Sequence, residues 1–301
     1  MRCDKCRRDA VICQKYSGQH LCREHFIADL EAKAKREIRL HRGIRGGDRI
    51  AVALSGDAPG SALLFFLKKL TAQRRDVKVF AIIIDEGIAS YRNPGQVVQV
   101  AESMGADIIP GSFREAYSIT MDEIMQRVGA EVAYRNYRVL RRQLLARIAQ
   151  ENGATCLASA ITLDDRAQAV LCDMLTGNVE TLIVPRQHYQ GALKDIYPFM
   201  QVPEQEVRLY AELNAIPCVK TSPYPFTGSE KRADINRMLE AYDRNHPATR
   251  FALGNLGEQL AAAGTGAIAG IAVCARCGEP CPDGTCPDCQ IRDGFSKGSQ
   301  P

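Results

Sequence analysis

At 301 residues, 46% of them hydrophobic and 25% charged, the chain can fill one large or two moderate domains and is not a disordered polymer. No apolar run reaches the roughly 18 to 20 residues that span a bilayer, and MRCDKCRRD lacks a signal peptide's apolar stretch, so a cytoplasmic protein with no membrane partner is expected. A net charge of +4 is too small to require a nucleic-acid partner by itself. Twelve cysteines in a reducing compartment read first as metal ligands, because most fall in C-x-x-C-like clusters rather than spread as a disulfide framework.

Residues 1–26 form the first unit, an N-terminal zinc finger. Cys3-x-x-Cys6 and Cys22-x-x-His25 are two knuckles that together supply four ligands, the number of a closed structural zinc site. Cys13 and His20 compete for those places, but neither has a partner two or three residues away that would complete a knuckle. An amphipathic run from about Phe26 to Leu40 predicts a helix within a basic linker, 27–48. Its Lys33, Lys35, Arg36, Arg39, Arg42 and Arg45, and a second group of Arg135, Arg138, Arg141, Arg142 and Arg147, are either phosphate contacts or ordinary solvated helix faces.

The pattern changes at Arg49 and sets the limits of a third unit, 49–260. IAVALS reads as a strand, SGDAPGS as a small-residue loop and SALLFFLKKLTAQ as a helix. VKVFAIIID (77–85), VVQVAESMG (97–105) and ADIIP (106–110) continue as strand, helix, strand. This β-α-β-α-β order predicts an α/β fold with a parallel sheet covered by helices on both faces. A helical stretch from about Ile119 to Ile148, interrupted near Gly129, precedes a strand in ATCLASA (154–160). Thr162-Leu163-Asp164-Asp165 is a capping-box signal opening the next helix, beside the preceding strand's C-terminal end, where parallel sheets place ligands. VPEQEVRLYAEL (202–213) and RADINRMLEAYDRNHP (232–247) predict two more helices.

AAAGTGAIAG opens a linker, 261–273, into a C-terminal zinc ribbon, 274–292, and a disordered tail, 293–301. In the ribbon, Cys274-x-x-Cys277 and Cys286-x-x-Cys289 bring four thiolates to a second structural zinc, with Cys281 spare between them. Cys156 and Cys172 read as small core residues, whereas Cys218 is the best candidate for a displaced reactive thiol.

The small-residue loop at a helix start presents N–H groups to phosphate, which alone is weak support for a nucleotide. GDRIAVALSG, IIIDEGIASYR, LDDRAQAVL, VPEQEVRLYAELNAIP, NHPATRF and the two cysteine modules, taken in order, resemble the PP-loop ATPases, specifically the tRNA 2-thiouridine synthetase branch of archaeal and eukaryotic cytosolic tRNA thiolation proteins. The resemblance implies a Rossmann-like fold of the adenine nucleotide alpha hydrolase type. It implies ATP and Mg2+ as cofactors beside the two structural Zn2+, and tRNA as partner. Members adenylate a uridine carbonyl and then deliver sulfur to the activated carbon, using a cysteine-ligated iron–sulfur cluster. Carried onto this chain, the nucleotide would meet Ala53, Leu54, Ser55, Gly56, Ser61, Ala160, Asp164 and Asp165, with Asp165 and Arg141 as catalytic candidates. Some branches form homodimers, which makes a homodimer one expected state.

The chain departs from that pattern at its chemistry. In the loop motif S-G-G-x-D-S, Ser55 and Gly56 match, Asp57 replaces the second glycine, Pro59 the aspartate and Gly60 the serine. Tyr134 and Tyr137 stand where the family has C-x-x-C, Arg141 where it has a lysine, and Ser222 where a third cysteine precedes Pro-Tyr. Ala160-Ile161-Thr162 replaces Gly-His-Asn. Without the thiols an iron–sulfur cluster is not expected. The leading expectation is therefore a divergent paralogue that binds tRNA, a nucleotide, or a thiolation partner such as an active enzyme or sulfur carrier. An active ATP-dependent sulfurtransferase with unusual site residues, and an adenylating enzyme without sulfur chemistry, are the alternatives.

Overall fold

The computed structural model describes residues 1–40, 43–89, 91, 93–183, 193–219, 230–264, 274 and 284–285. The chain opens with a hairpin of β1 (Ile12–Gln14) and β2 (Gln19–Leu21), followed by α1 (Arg23–Leu40), which begins three residues earlier than its apolar pattern suggests. Phe26, Leu30, Ala34 and Ile38 form its inward stripe at the three-to-four-residue spacing of a helix face.

Five strands follow at intervals: β3 (Arg49–Ala53), β4 (Lys78–Asp85), β5 (Asp107–Ser112), β6 (Cys156–Ala158) and β7 (Lys194–Ile196). They pair in parallel in the order β5-β4-β3-β6-β7, with Val52 of β3 level with Ala81 on one side and Ala158 on the other. Strand side chains alternate, and both faces of this sheet are dry. Ile50, Val52, Ala81 and Ile83 point into one core, shared with α1 and with α2 (Ala58–Thr71), α3 (Pro94–Ser103) and α9 (Glu204–Leu213). Ala51, Ala53, Phe80, Ile82 and Ile84 point into the other, closed by α4 (Phe113–Tyr117), α5 (Met121–Val128) and α6 (Ala130–Glu151). The expected break at Gly129 separates α5 from α6.

The chain reverses its direction of travel across the sheet at β3, so β3 lies at a topological switch point, and the crevice beyond its carboxyl end is where such folds hold ligands. On the β7 side, α7 (Leu163–Leu175), α8 (Val179–Ile183), α10 (Glu230–Asp243) and α11 (Thr249–Gly264) form a helical layer. Sequence periodicity missed α4, α8, β7 and α11. Residues 261–264 continue α11, so a linker does not begin at 261.

Candidate functional site

The hairpin and the start of α1 bring Cys3, Cys6, Cys22 and His25 together, with their ligand atoms within 4.8 Å of one another. Cys6 Sγ lies 3.6 Å from Cys22 Sγ, and His25 Nδ1 lies 3.4 Å from both Cys3 Sγ and Cys22 Sγ. Tetrahedral zinc with ordinary Zn–S and Zn–N bonds requires about 3.8 Å between sulfurs and about 3.5 Å from sulfur to nitrogen, so these residues fit the ion. Burial pushes the Cys3 thiol up, but backbone hydrogen bonds from Cys22 and Lys5 and the His25 side chain outweigh it and bring it to about 6, which favours the ligating thiolate. Cys13 and His20 sit opposite each other across the hairpin and outside the cluster.

The finger is bolted to the α/β domain by polar groups taken from both. Gln14 Nε2 donates to Glu206 of α9 (3.1 Å) and to Asp29 of α1 (3.0 Å), while Lys33 donates to Asp29 and to the Tyr16 hydroxyl, both at 2.7 Å. The Tyr16 ring packs on Phe251 at 4.6 Å, and Arg23 donates to the Leu213 carbonyl at 2.6 Å. Burial raises the pKa of Glu206 against the opposing pull of Lys33. Its folded pKa lies above the unfolded 4.5, so the folded chain binds more protons there, and the contribution of Glu206 to stability falls as pH rises from about 4.5 through the raised value. Glu206→Gln should remove that slope: its thermal midpoint should rise less than the wild-type midpoint between pH 7 and pH 5. Equal slopes in the two proteins would count against the assignment.

Three strand ends converge at the switch point. At the end of β3, Ala53 and Leu54 are buried, and Ser55, Gly56 and Asp57 turn into α2. Gly56 has φ of +81°, and a Cβ there would lie 2.7 Å from Val97, so the position requires glycine. The Gly56 carbonyl accepts from the Val219 N–H (2.8 Å) and from the buried Ser61 hydroxyl (3.3 Å). Asp57 is the N-cap: its Oδ1 accepts from Gly60 N at 2.9 Å and from Ser55 Oγ at 2.6 Å.

Beyond β6, Ala160 is half-buried and Thr162 caps α7. The capping box is present: Asp165 accepts from Thr162 N (3.0 Å) and Thr162 Oγ1 (2.9 Å), and Thr162 Oγ1 accepts from Asp165 N (3.3 Å). Asp164 accepts from the Glu204 N–H at the start of α9 (2.7 Å) and from Arg250 of α11 (2.6 Å). Burial raises its pKa against the pull of that N–H and of Arg250. Both carboxylates therefore hold helices in place at the edge where sequence puts a nucleotide.

Beyond β4, the Glu86 side chain is buried and accepts from Arg141 Nε at 3.1 Å, while the Tyr137 hydroxyl stands 3.4 Å from the same oxygen. The Tyr137 ring packs beside Phe113, centroids 6.3 Å apart. Glu86 is a site residue that sequence reading missed, because its partners lie 51 and 55 positions away. Tyr134 lies in α6 with its side chain outside the described set, and Ser222, Cys277, Cys281, Cys286 and Cys289 lie outside the described residues. Cys274 is buried, as is Cys156 in β6, whereas Cys218 is exposed.

The basic groups divide in the same way. Lys33 is tied to Asp29, Lys35 pairs with Glu31 at 3.7 Å, and Arg142 pairs with Asp195 at 3.5 Å. Arg36, Arg39 and Arg138 are exposed. Among the described residues no helix is long and apolar enough to cross a membrane.

A doubly wound parallel sheet with a small-residue loop at its switch point, fronted by a Cys3His finger, defines a nucleotide-type α/β protein with an N-terminal metal module. The chain belongs to the PP-loop domain family, which matches residues 28–222, and residues 2–27 match the N-terminal LIM domain of the 2-thiouridine synthetase TtuA. It is 29% identical to a protein named tRNA 2-thiolation protein NcsA of Haloferax volcanii, over 97% of this chain and 98% of that one. It is 26% identical to Cytoplasmic tRNA 2-thiolation protein 1 of Anopheles gambiae, over 97% of this chain and 88% of that one. Its fold matches the U34-tRNA thiolase NcsA from Methanococcus maripaludis, described with its [4Fe-4S] cluster, at a TM-score of 0.83 and 24% identity over 100% of this chain and 97% of the other.

Proposed function

We propose that this chain is a cytoplasmic, tRNA-binding member of the tRNA thiolation family that does not itself carry out cluster-dependent sulfur transfer. The observation that carries this reading is the Tyr137–Glu86–Arg141 group. The resemblance puts a cluster thiolate at position 137, and in this chain that residue is a tyrosine packed beside Phe113 with its hydroxyl against a buried carboxylate. A phenol and, at 222, a serine are hard oxygen groups, and they do not fit an iron–sulfur cluster. Arg141, at the family's lysine position, spends its Nε on Glu86. The engagement of Asp164 and Asp165 in packing and capping supports the same reading.

The exposed Arg36 and Arg39 on α1 are the phosphate contacts we assign to tRNA. Full-length, zinc-loaded protein should shift tRNA in a salt-dependent manner. Arg36→Glu combined with Arg39→Glu should weaken binding and lower the slope of log affinity against log salt by about 1 for each phosphate no longer neutralised. Incubation with tRNA, ATP, Mg2+ and a sulfide donor should leave no 2-thiouridine in the digested nucleosides. Formation of 2-thiouridine would replace this reading with that of an active sulfurtransferase, and absence of any tRNA shift would remove tRNA as the partner.

A further inference from the structure

We infer that Asp57 is a specificity-determining residue that fills the phosphate position of the PP-loop with its own carboxylate and so excludes polyphosphate ligands. The inference shares with the proposed function the family's placement of phosphates at this loop.

A loop of this kind binds phosphate through N–H and hydroxyl groups at the start of the following helix, where the helix dipole adds partial positive charge. In this chain four of those groups are already committed. Gly60 N and Ser55 Oγ both donate to Asp57 Oδ1, Ser61 N donates to the Asp57 carbonyl at 2.9 Å, and Pro59 has no N–H to offer. The Ser61 hydroxyl turns back to the Gly56 carbonyl. The fit around the carboxylate is tight: a Cβ on Gly60 would fall 2.5 Å from Ser55 Oγ and 2.9 Å from Asp57 Oδ1, so glycine at position 60 is what lets the aspartate close over the helix end. The bond from Val219 N to the Gly56 carbonyl ties the loop from its other side.

An anion arriving at the loop must displace a bound anion that is covalently part of the chain. It also meets a full negative charge where the family motif has a glycine. Charge-assisted hydrogen bonds of this type are each worth about 1.5–3 kcal/mol, which corresponds to roughly a 10- to 100-fold change in affinity per bond. The substitution of glycine for aspartate should therefore improve pyrophosphate binding by at least about 100-fold. Asn in its place keeps a neutral cap and should fall between the two.

The experiment is isothermal titration of magnesium pyrophosphate, and separately of Mg-ATP, into the full chain as wild type, Asp57→Gly and Asp57→Asn, each first checked for a wild-type-like melting transition. Glycine is tolerated at an N-cap almost as well as aspartate, so the variant is expected to fold, and the Asn variant retains the cap in any event. The expected result is no measurable heat with wild type and clear saturation with Asp57→Gly. Equal binding by wild type and Asp57→Gly overturns the inference, and so does a pair of folded variants that bind no better than wild type. Because tRNA is absent from this titration, its outcome is read independently of whether the protein shifts or thiolates tRNA.

Discussion

Replacing Cys22 by serine should release the N-terminal finger from its metal and cost the whole molecule a large part of its stability. Structural zinc in a small module supplies on the order of 10 kcal/mol or more of folding free energy, and a finger with one ligand missing has little core of its own to compensate. Cys3, Gln14, Leu21, Cys22 and Phe26 are the buried residues of this unit, and two of the five belong to the candidate metal cluster. The effect will not stay local. Cys22 immediately precedes α1, whose Phe26, Leu30, Ala34 and Ile38 belong to the same core as Leu64, Leu67 and Tyr210, so a finger that unfolds loosens the helix that covers one face of the sheet. The contacts of Gln14 with Glu206 and of Tyr16 with Phe251 go with it. Zinc analysis of the purified variant should show one ion fewer than wild type, its thermal midpoint should fall by many degrees, and limited proteolysis should cut first within residues 1–40. Cys13→Ser, on the hairpin but outside the cluster, should keep wild-type zinc content. An unchanged zinc count in Cys22→Ser would mean that the four residues do not hold the metal.

What could be read in advance follows a physical division. The β3-α2-β4-α3-β5 succession was legible because β3 and β4 are buried on both faces and read as apolar runs, and the finger was legible because ligand spacing is a local property. The elements that escaped are those whose stability is tertiary. Strand β7 is only Lys-Asp-Ile, of which Ile196 alone is fully buried, and it exists because β6 offers it an edge. Helix α11 carries glycines that read as helix breakers, but Gly257 lies where any Cβ would come within 2.6 Å of Val170, so that glycine serves close approach of α11 to α7.

The site divides in the same manner. The capping role of Asp165 is local and was visible as T-L-D-D, whereas the pairing of Glu86 with Arg141 depends on the end of β4 meeting α6 across half the domain. The partner of Asp164 was hidden in the same way, since Arg250 follows 86 residues later.

That last pair gives the second large effect. Asp164→Ala should destabilise the protein by about 1–3 kcal/mol, because it takes one of two carboxylates from a largely buried guanidinium and leaves the Glu204 N–H without its acceptor. The Asp164 and Arg250 side chains are 24% and 15% exposed, so solvent can do little to replace the missing partner. The same carboxylate also caps the first turn of α9 through the Glu204 N–H, and Arg250 reaches on to Asp243 at the end of α10 at 2.6 Å. One aspartate thus fastens α7, α9 and α11 together, and through Arg250 it also fixes α10. A double-mutant cycle separates this account from the nucleotide role that the family resemblance gives to Asp164. If the residue is structural, Asp164→Ala and Arg250→Ala will each lower the denaturation midpoint, and the double variant will lose less than the sum, since the ion pair they share can be lost only once, while the Asp243 carboxylate is left behind by Arg250→Ala in either background. If Asp164 instead serves a ligand, the single variant will melt near wild type, the two losses will add, and the deficit will appear in Mg-ATP titration and not in the denaturation curve.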